Sequence, residues 1–308
     1  MTLADLNSAI ADGSIKDIIR VAEARQIKAL SKIADDICAR GNIRLVLVAG
    51  GSAAGKTTSA KRLATQLRVN DRYALHISTD DYFVGDRKNP RDENGEFDYE
   101  HVDCVDVERL SADINALIGG EGVYVRKFDF CNHEPVFTDE VRTLPKDGII
   151  VLEGIHALNP RLTEGVDEAL KYRVSIDPKP SIDVFGGIKP KSSEARFLRR
   201  MVRDNHFRKL SPIDTLKMWP KVMAGEARWI EPFRNLAEAT FDSYLVYEMA
   251  VLKFYVGGLL EKARRELGDD KMIMNMIRLM NPITPIDATL VPGDSILREV
   301  IGGSQLEY

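Results

Sequence analysis

The chain has 308 residues, 44% hydrophobic and 29% charged, with a formal net charge of −4, which is ordinary for a globular protein able to bury a large core. That balance excludes the basic footprint of a nucleic-acid binder, and Cys38, Cys104 and Cys131, odd in number and without C-x-x-C spacing, exclude a disulfide or zinc framework. The longest apolar runs are strand-sized and no signal pattern opens the sequence, so a soluble, cytoplasmic protein without a membrane partner is expected.

Residues 3–40 keep Ile15, Ile18, Ile19, Ala22, Leu30, Ile33 and Ile37 at helical spacing. Asp12-Gly13-Ser14 predicts a break there and supplies an N-cap. This helical arm, 1–40, is expected to pack on its own domain or on a second subunit. From residue 41 strands and helices alternate. Strands are predicted at 43–49, 73–78, 122–128, 148–153, 171–176 and 242–247, and helices at 56–68, 106–117, 192–206, 212–224 and 248–266. Such alternation predicts an α/β domain over 41–268, a mainly parallel sheet with helices on both faces. Ligands of such sheets bind beyond the carboxyl ends of the strands. Residues 84–98 are polar and rich in Gly, Pro, Asn and Asp, a loop long enough to be functional. The segment 269–308 opens on a Met-rich helix (Met272, Met274, Met276, Met280), read as adaptable packing against the domain.

Gly50-Gly51-Ser52-Ala53-Ala54-Gly55-Lys56-Thr57 joins the first strand to the first helix of that alternation and fits G-x-x-x-x-G-K-[ST]. Glycines allow a tight turn whose N–H groups point inward at phosphate oxygens. Lys56 is placed to reach the β- and γ-phosphates, and the Thr57 hydroxyl to hold Mg²⁺. The helix behind, with Thr58 in its first turn, turns its positive end toward the same anion. Residues 50–58 (Gly50, Gly51, Ser52, Ala53, Ala54, Gly55, Lys56, Thr57 and Thr58) are therefore candidates to bind a nucleoside triphosphate.

Asp80 follows the second strand in Ser78-Thr79-Asp80-Asp81-Tyr82-Phe83. A carboxylate there faces the phosphate loop, where it can take a proton from an attacking hydroxyl or hold a water on the metal; a turn cap is the plainer alternative. The strand Gly148–Glu153 is apolar and ends in an acid, the arrangement in which Glu153 supports the metal beside the loop. Arg196, Arg199, Arg200 and Arg203 share one helical face, with Arg208 beyond. Such a face is usually solvated, but here it predicts a lid whose arginines neutralise charge in phosphoryl transfer.

Taken in order, these pieces resemble the uridine kinase and phosphoribulokinase family of P-loop kinases. The resemblance is carried by STDDYF (78–83), NPRDENGEFDYE (89–100), LEGIHALNPRL (152–162) and RRMVRDNHFR (199–208). It runs from about Leu3 to the SILREVIGGS tail at 295–304. More closely, the chain is similar to the uridine kinase-like region of longer bacterial proteins that carry a threonyl-tRNA-synthetase-like region in front, a region not found in this sequence. The resemblance implies a P-loop NTPase-type fold, ATP and Mg²⁺ as cofactors, and a nucleoside as the small-molecule partner. It further implies Asp80 as catalytic base and metal contact, Phe83 beside the nucleoside, and Asp98 on the ribose hydroxyls. Phe128 falls on an aromatic of the base pocket and His133 on a histidine that reads the base edge. By residue type alone, His133 is an exposed or structural histidine, and Phe128 with Phe130 suits a plain core. Glu153 falls on the metal-supporting acid, and Arg199, Arg203 and Arg208 on or near lid arginines. Family members are often oligomeric, so a homo-oligomer is expected. Two positions depart from familiar uridine kinases: Leu210 replaces a base-contacting arginine, and Asp81 replaces a serine.

The expectation is thus an ATP- and Mg²⁺-dependent kinase acting on the 5′-hydroxyl of a nucleoside such as uridine or cytidine. Lys56, Asp80, Arg199 and Arg203 are its catalytic candidates. Thymidine, another hydroxylated acceptor, or a nucleotide-gated regulatory protein without an acceptor are the alternatives.

Overall fold

The computed structural model describes residues 1–129, 132–184 and 189–307; Phe130 and Cys131 lie outside them. Five short strands form the main sheet: β1 (Leu45–Ala49), β2 (Ala74–Ser78), β5 (Ile149–Glu153), β6 (Lys171–Asp177) and β7 (Ala239–Asp242). Their order is β2-β5-β1-β6-β7, and every ladder between neighbours is parallel. The sequence of β1, LVLVA, is buried at every position because both faces are covered. Val46 and Val48 point to a core with Leu30, Ile33, Leu63 and Leu67, whereas Leu45, Leu47 and Ala49 meet Leu110, Ile114 and Leu117 on the opposite face. The two-residue period of a strand thus sends alternate side chains into two separate cores.

The first of these cores is roofed by α2 (Ile15–Arg40) and α3 (Lys56–Val69), the second by α4 (Val107–Gly119). A third core joins α1 (Leu3–Asp12), the start of α2, α5 (Ser192–Phe207), α6 (Pro212–Trp229), α7 (Glu248–Leu267), α8 (Lys271–Met280) and the short α9 (Arg298–Ile301). The N-terminal helices pack on their own chain: Leu6 and Ile19 share a core with Phe197 and Tyr247. The Tyr247 hydroxyl also donates to Glu23 of α2 at 2.6 Å. Met276 and Met280 are buried in the same core. Among the described residues no helix is long and apolar enough to cross a membrane.

Three local expectations are refined or corrected. Gly13, in left-handed conformation, ends α1 and Ser14 takes the N-cap position of α2 as expected, but without a side-chain cap; its N–H donates to Asp12 at 2.9 Å. The strand expected at 242–247 is Ala239–Asp242. Beyond it, Asp242 takes the N–H groups of Lys179 and Tyr244, and Glu248 takes that of Leu245. Those carboxylates turn the chain, so Tyr244, Leu245 and Tyr247 reach the helical core from a loop. Lastly, Val123–Asp129 (β3) pairs antiparallel with Glu134–Arg142 (β4) in a separate two-stranded hairpin. No residue of β4 is fully buried, so it lacks the apolar run that marks a core strand.

Candidate active site

The phosphate loop springs from the carboxyl end of β1 and closes into α3. Gly55 is left-handed, with φ +84°, the conformation glycine adopts without steric cost. Lys56 folds back over the loop, and its Nζ donates to the Gly51 carbonyl at 3.1 Å.

Strand register brings the acids to that loop. Ser78 at the end of β2 pairs with Glu153 at the end of β5, and Val48 of β1 pairs with Glu153 on the other side. Glu153 Oε1 accepts from Ser78 Oγ at 2.8 Å and from Thr57 Oγ1 at 3.1 Å. Only 3% exposed, its carboxyl is pushed up to about 7 by burial and then by nearby Asp80, against the pull of Lys56. Asp80 sits in the single 3₁₀ turn Thr79–Tyr82 after β2, its N–H on Ser78 Oγ. Burial holds this carboxyl above its ordinary value, opposed by Lys56, Arg208 and Arg203. Gly154 makes the approach of the turn possible, since a Cβ there would lie 1.8 Å from Thr79 Oγ1.

Thr57, Asp80 and Glu153 offer hydroxyl and carboxylate oxygens, the donor set of a hard cation. Among the described residues no group of three or more His, Cys, Asp or Glu converges as a metal cage. Mg²⁺ shared with substrate phosphates needs only one or two carboxylates, so these residues fit it.

The arginine row is not one lid. Arg199 is fully buried beneath the loop, with Nη2 at 2.6 Å and Nε at 3.1 Å from the Glu248 carboxylate. Its other donors go to the Ser243 carbonyl at 2.9 Å and the Ala53 carbonyl at 3.4 Å. The expected catalytic role of Arg199 is therefore corrected to that of a strut. Arg196, lying against Gly51, pairs with Glu226 at 2.6 Å, and Arg200 reaches Ser52 Oγ at 2.8 Å. Buried Asp204 holds Arg200, Arg203 and Arg208 together. Of the five, Arg203 and Arg208 lie within electrostatic reach of Asp80. The Arg208 guanidinium, half exposed, is pulled down to about 10 by Arg203 and by burial.

Among the residues expected at an acceptor, Phe83 and Phe128 meet edge to face at 5.4 Å. Asp98 is half-buried and its carboxylate accepts the Glu100 N–H at 3.1 Å. His133 occupies the hairpin turn with φ +54°. Its Nδ1 lies 3.4 Å from Asp86, which also accepts the Tyr99 hydroxyl at 3.0 Å. Residues 97–99 and His133 are thus gathered in one aromatic and acidic cluster. Lys221 of α6 fastens this loop by ion pairs to Asp92 at 2.6 Å and Glu96 at 2.9 Å.

Sequence reasoning passed over Glu100, Glu226 and Ser78. Glu226 carried a signal, because Thr215, Trp219, Val222 and Glu226 form the buried stripe of α6, and an acid on such a stripe demands a partner. Glu100, in a polar loop, carried none. Half-buried, its carboxyl is pushed up to about 7 by burial, against Arg200 and Lys56.

Residues 45–249 match the profile of the Phosphoribulokinase / Uridine kinase family. The chain belongs to this family. It is 29% identical over 160 residues to a uridine kinase of Lactobacillus helveticus, covering 52% of this chain and 67% of the relative. It is 27% identical over 199 residues to a uridine kinase of Chloroflexus aggregans, covering 64% and 85%. A solved structure described as a possible uridine kinase from Bacillus stearothermophilus superposes with TM-score 0.50 at 17% identity, over 71% of this chain and 100% of that one, and shows the shared fold. The protein is a P-loop kinase of the uridine kinase family.

Two outcomes follow for this kinase. Gly154→Ala drives Thr79, and with it Asp80, out of place; turnover falls by about 100-fold, as for a misplacement near 1 Å, while nucleotide still binds. Glu100, ordinarily near 4.5 and here near 7, binds a proton more readily when folded. Its contribution to stability is present below 4.5 and lost as pH rises through 7. Urea unfolding of Glu100→Gln therefore shows a midpoint that gains on the parent protein from about pH 4 to about pH 8.

Proposed function

We propose that this kinase transfers the γ-phosphoryl group of ATP to the 5′-hydroxyl of a nucleoside, a pyrimidine nucleoside such as uridine or cytidine, giving the 5′-monophosphate. The observation that carries this reading is the Asp80 carboxyl, half-buried at the end of β2 and within electrostatic reach of both Lys56 and Glu153. An acid so placed can take the proton of an attacking hydroxyl, and Asp98 and His133 are the further residues that favour an acceptor over water. The uridine kinase relatives support the choice of acceptor.

The N–H groups of residues 50–58 and Lys56 bind the donor phosphates. Thr57 and Glu153 would hold Mg²⁺, with Asp80 close by; the bound ion offsets phosphate charge. Asp80 orients the acceptor hydroxyl and takes its proton as the new O–P bond forms and the bond to ADP breaks. A carboxyl held above its ordinary value is the stronger base, which suits that task. Arg203 and Arg208 neutralise charge on the group in flight. Asp98 fixes the ribose hydroxyls. Phe83 and Phe128 offer an apolar wall for the base and His133 its edge contact. Leu210, in place of a base-contacting arginine, leaves room for thymidine as well.

A panel of uridine, cytidine, thymidine, pantothenate and a sugar phosphate, scored for phosphorylated product, tests the acceptor. Uridine or cytidine is expected to give the largest ADP formation, and Asp80→Asn to lower it by about 10²–10⁴-fold with ATP binding kept. Near-parental turnover in Asp80→Asn overturns the base, and ADP release indifferent to every nucleoside overturns the acceptor.

A further inference from the structure

The first turn of α3 lies inside the phosphate loop, where free N–H groups draw an anion. One of its residues already holds a carboxylate. Glu299 of α9 places Oε2 2.7 Å from the Thr58 hydroxyl and 3.4 Å from the Thr58 N–H, and accepts from both. Three residues earlier, Ile296 presses on the loop itself: its Cγ2 lies 2.7 Å from where a Gly55 Cβ would stand. Two separate contacts thus bring the C-terminal segment onto consecutive parts of the nucleotide site.

The mount under Glu299 is firm. Ile296, Leu297, Val300 and Ile301 are buried. The Arg298 guanidinium grips the carbonyls of Val291, Ala288 and Gly302 at 2.5, 2.9 and 3.2 Å. Glu299 itself is only half-buried, so its side chain can swing aside while the backbone stays anchored. Its charge is felt at the heart of the site, for it helps hold the carboxyls of Asp80 and Glu153 above their ordinary values.

Resting on the reading of residues 50–58 as the ATP phosphate site, we propose that Glu299 is a residue that sets donor affinity: its carboxylate occupies the Thr58 donors as an internal anion, and the nucleotide phosphates must displace it. Carboxylate and phosphate oxygens seek the same N–H and O–H donors. Two negative groups crowded on one threonine also repel each other. The consequence is a donor site weaker than its loop alone would make, and a C-terminal segment that registers whether the loop is filled.

The test is titration calorimetry of ADP, ATP and adenosine on the full chain, its Glu299→Gln variant and its Glu299→Ala variant, with thermal unfolding to confirm the fold. Glutamine keeps the shape and an acceptor oxygen but removes the charge. Both variants are expected to bind ADP and ATP about tenfold more tightly, a change of about 1.4 kcal/mol, with adenosine unmoved and the gain shrinking as salt is added. Unchanged or weaker ADP binding in a folded Glu299→Gln overturns the proposal and makes Glu299 a strap for the loop. Absence of ADP and ATP binding in all three proteins overturns the reading of the phosphate site itself, and this proposal with it.

Discussion

Beneath the phosphate loop, the Arg199 guanidinium and the Glu248 carboxylate meet directly at 2.6 Å. Both side chains are fully buried, and the pair is bidentate. Two charges so deep are tolerable only when each finds its remaining partners. Arg199 gives its other donors to Ser243 and Ala53, and Glu248 takes the Leu245 N–H. Removing one partner of such a pair leaves a bare buried charge at a cost of about 3–5 kcal/mol. The geometry of the loop depends on it, because the Ala53 carbonyl rests on Arg199 while the start of α7 is tied to Glu248. Arg196 with Glu226 repeats the device under Gly51, and Arg200 steadies Ser52. Three arginines therefore support the loop from below.

Above the loop the charge balance reverses. Asp80, Glu153 and Glu100 lie within electrostatic reach of Lys56, with Glu299 adding its charge near the first two, and burial raises all three. Desolvation strains the charged form of these three carboxyls. A cation and the cationic side chains Lys56, Arg203 and Arg208 relieve that strain, which suits a site organised around highly charged ligands. Pre-arranged charge of this kind needs no reorganisation when the phosphoryl group moves.

The chain yields its centre more readily than its periphery. The apolar run of β1, the glycine-rich turn and α3 are consecutive, so pattern and motif coincide and the phosphate loop is legible. Glu153 is legible for the same reason: the strand before it is a short, fully buried run ending in one acid. The arginine row misleads because helical spacing records which residues share a face, not what that face meets. For Arg199 it meets Glu248, 49 positions away in sequence, and no local pattern encodes that encounter. β4 escapes because exposed strands need no hydrophobic alternation. Glu299 escapes because its partner Thr58 lies 241 residues off, where only the folded chain brings them together.

Among the described residues the hairpin β3–β4 forms its own two-stranded sheet and shares no ladder with the five-stranded one. Phe128 and His133, two of the residues proposed for the acceptor, are mounted on it, whereas the phosphate loop and the acids Asp80 and Glu153 are mounted on the sheet. A change of residue on the hairpin can therefore leave the register of β1, β2 and β5 untouched. Such a division lets descendants of one ancestor trade one acceptor for another while inheriting their phosphate-handling apparatus unaltered.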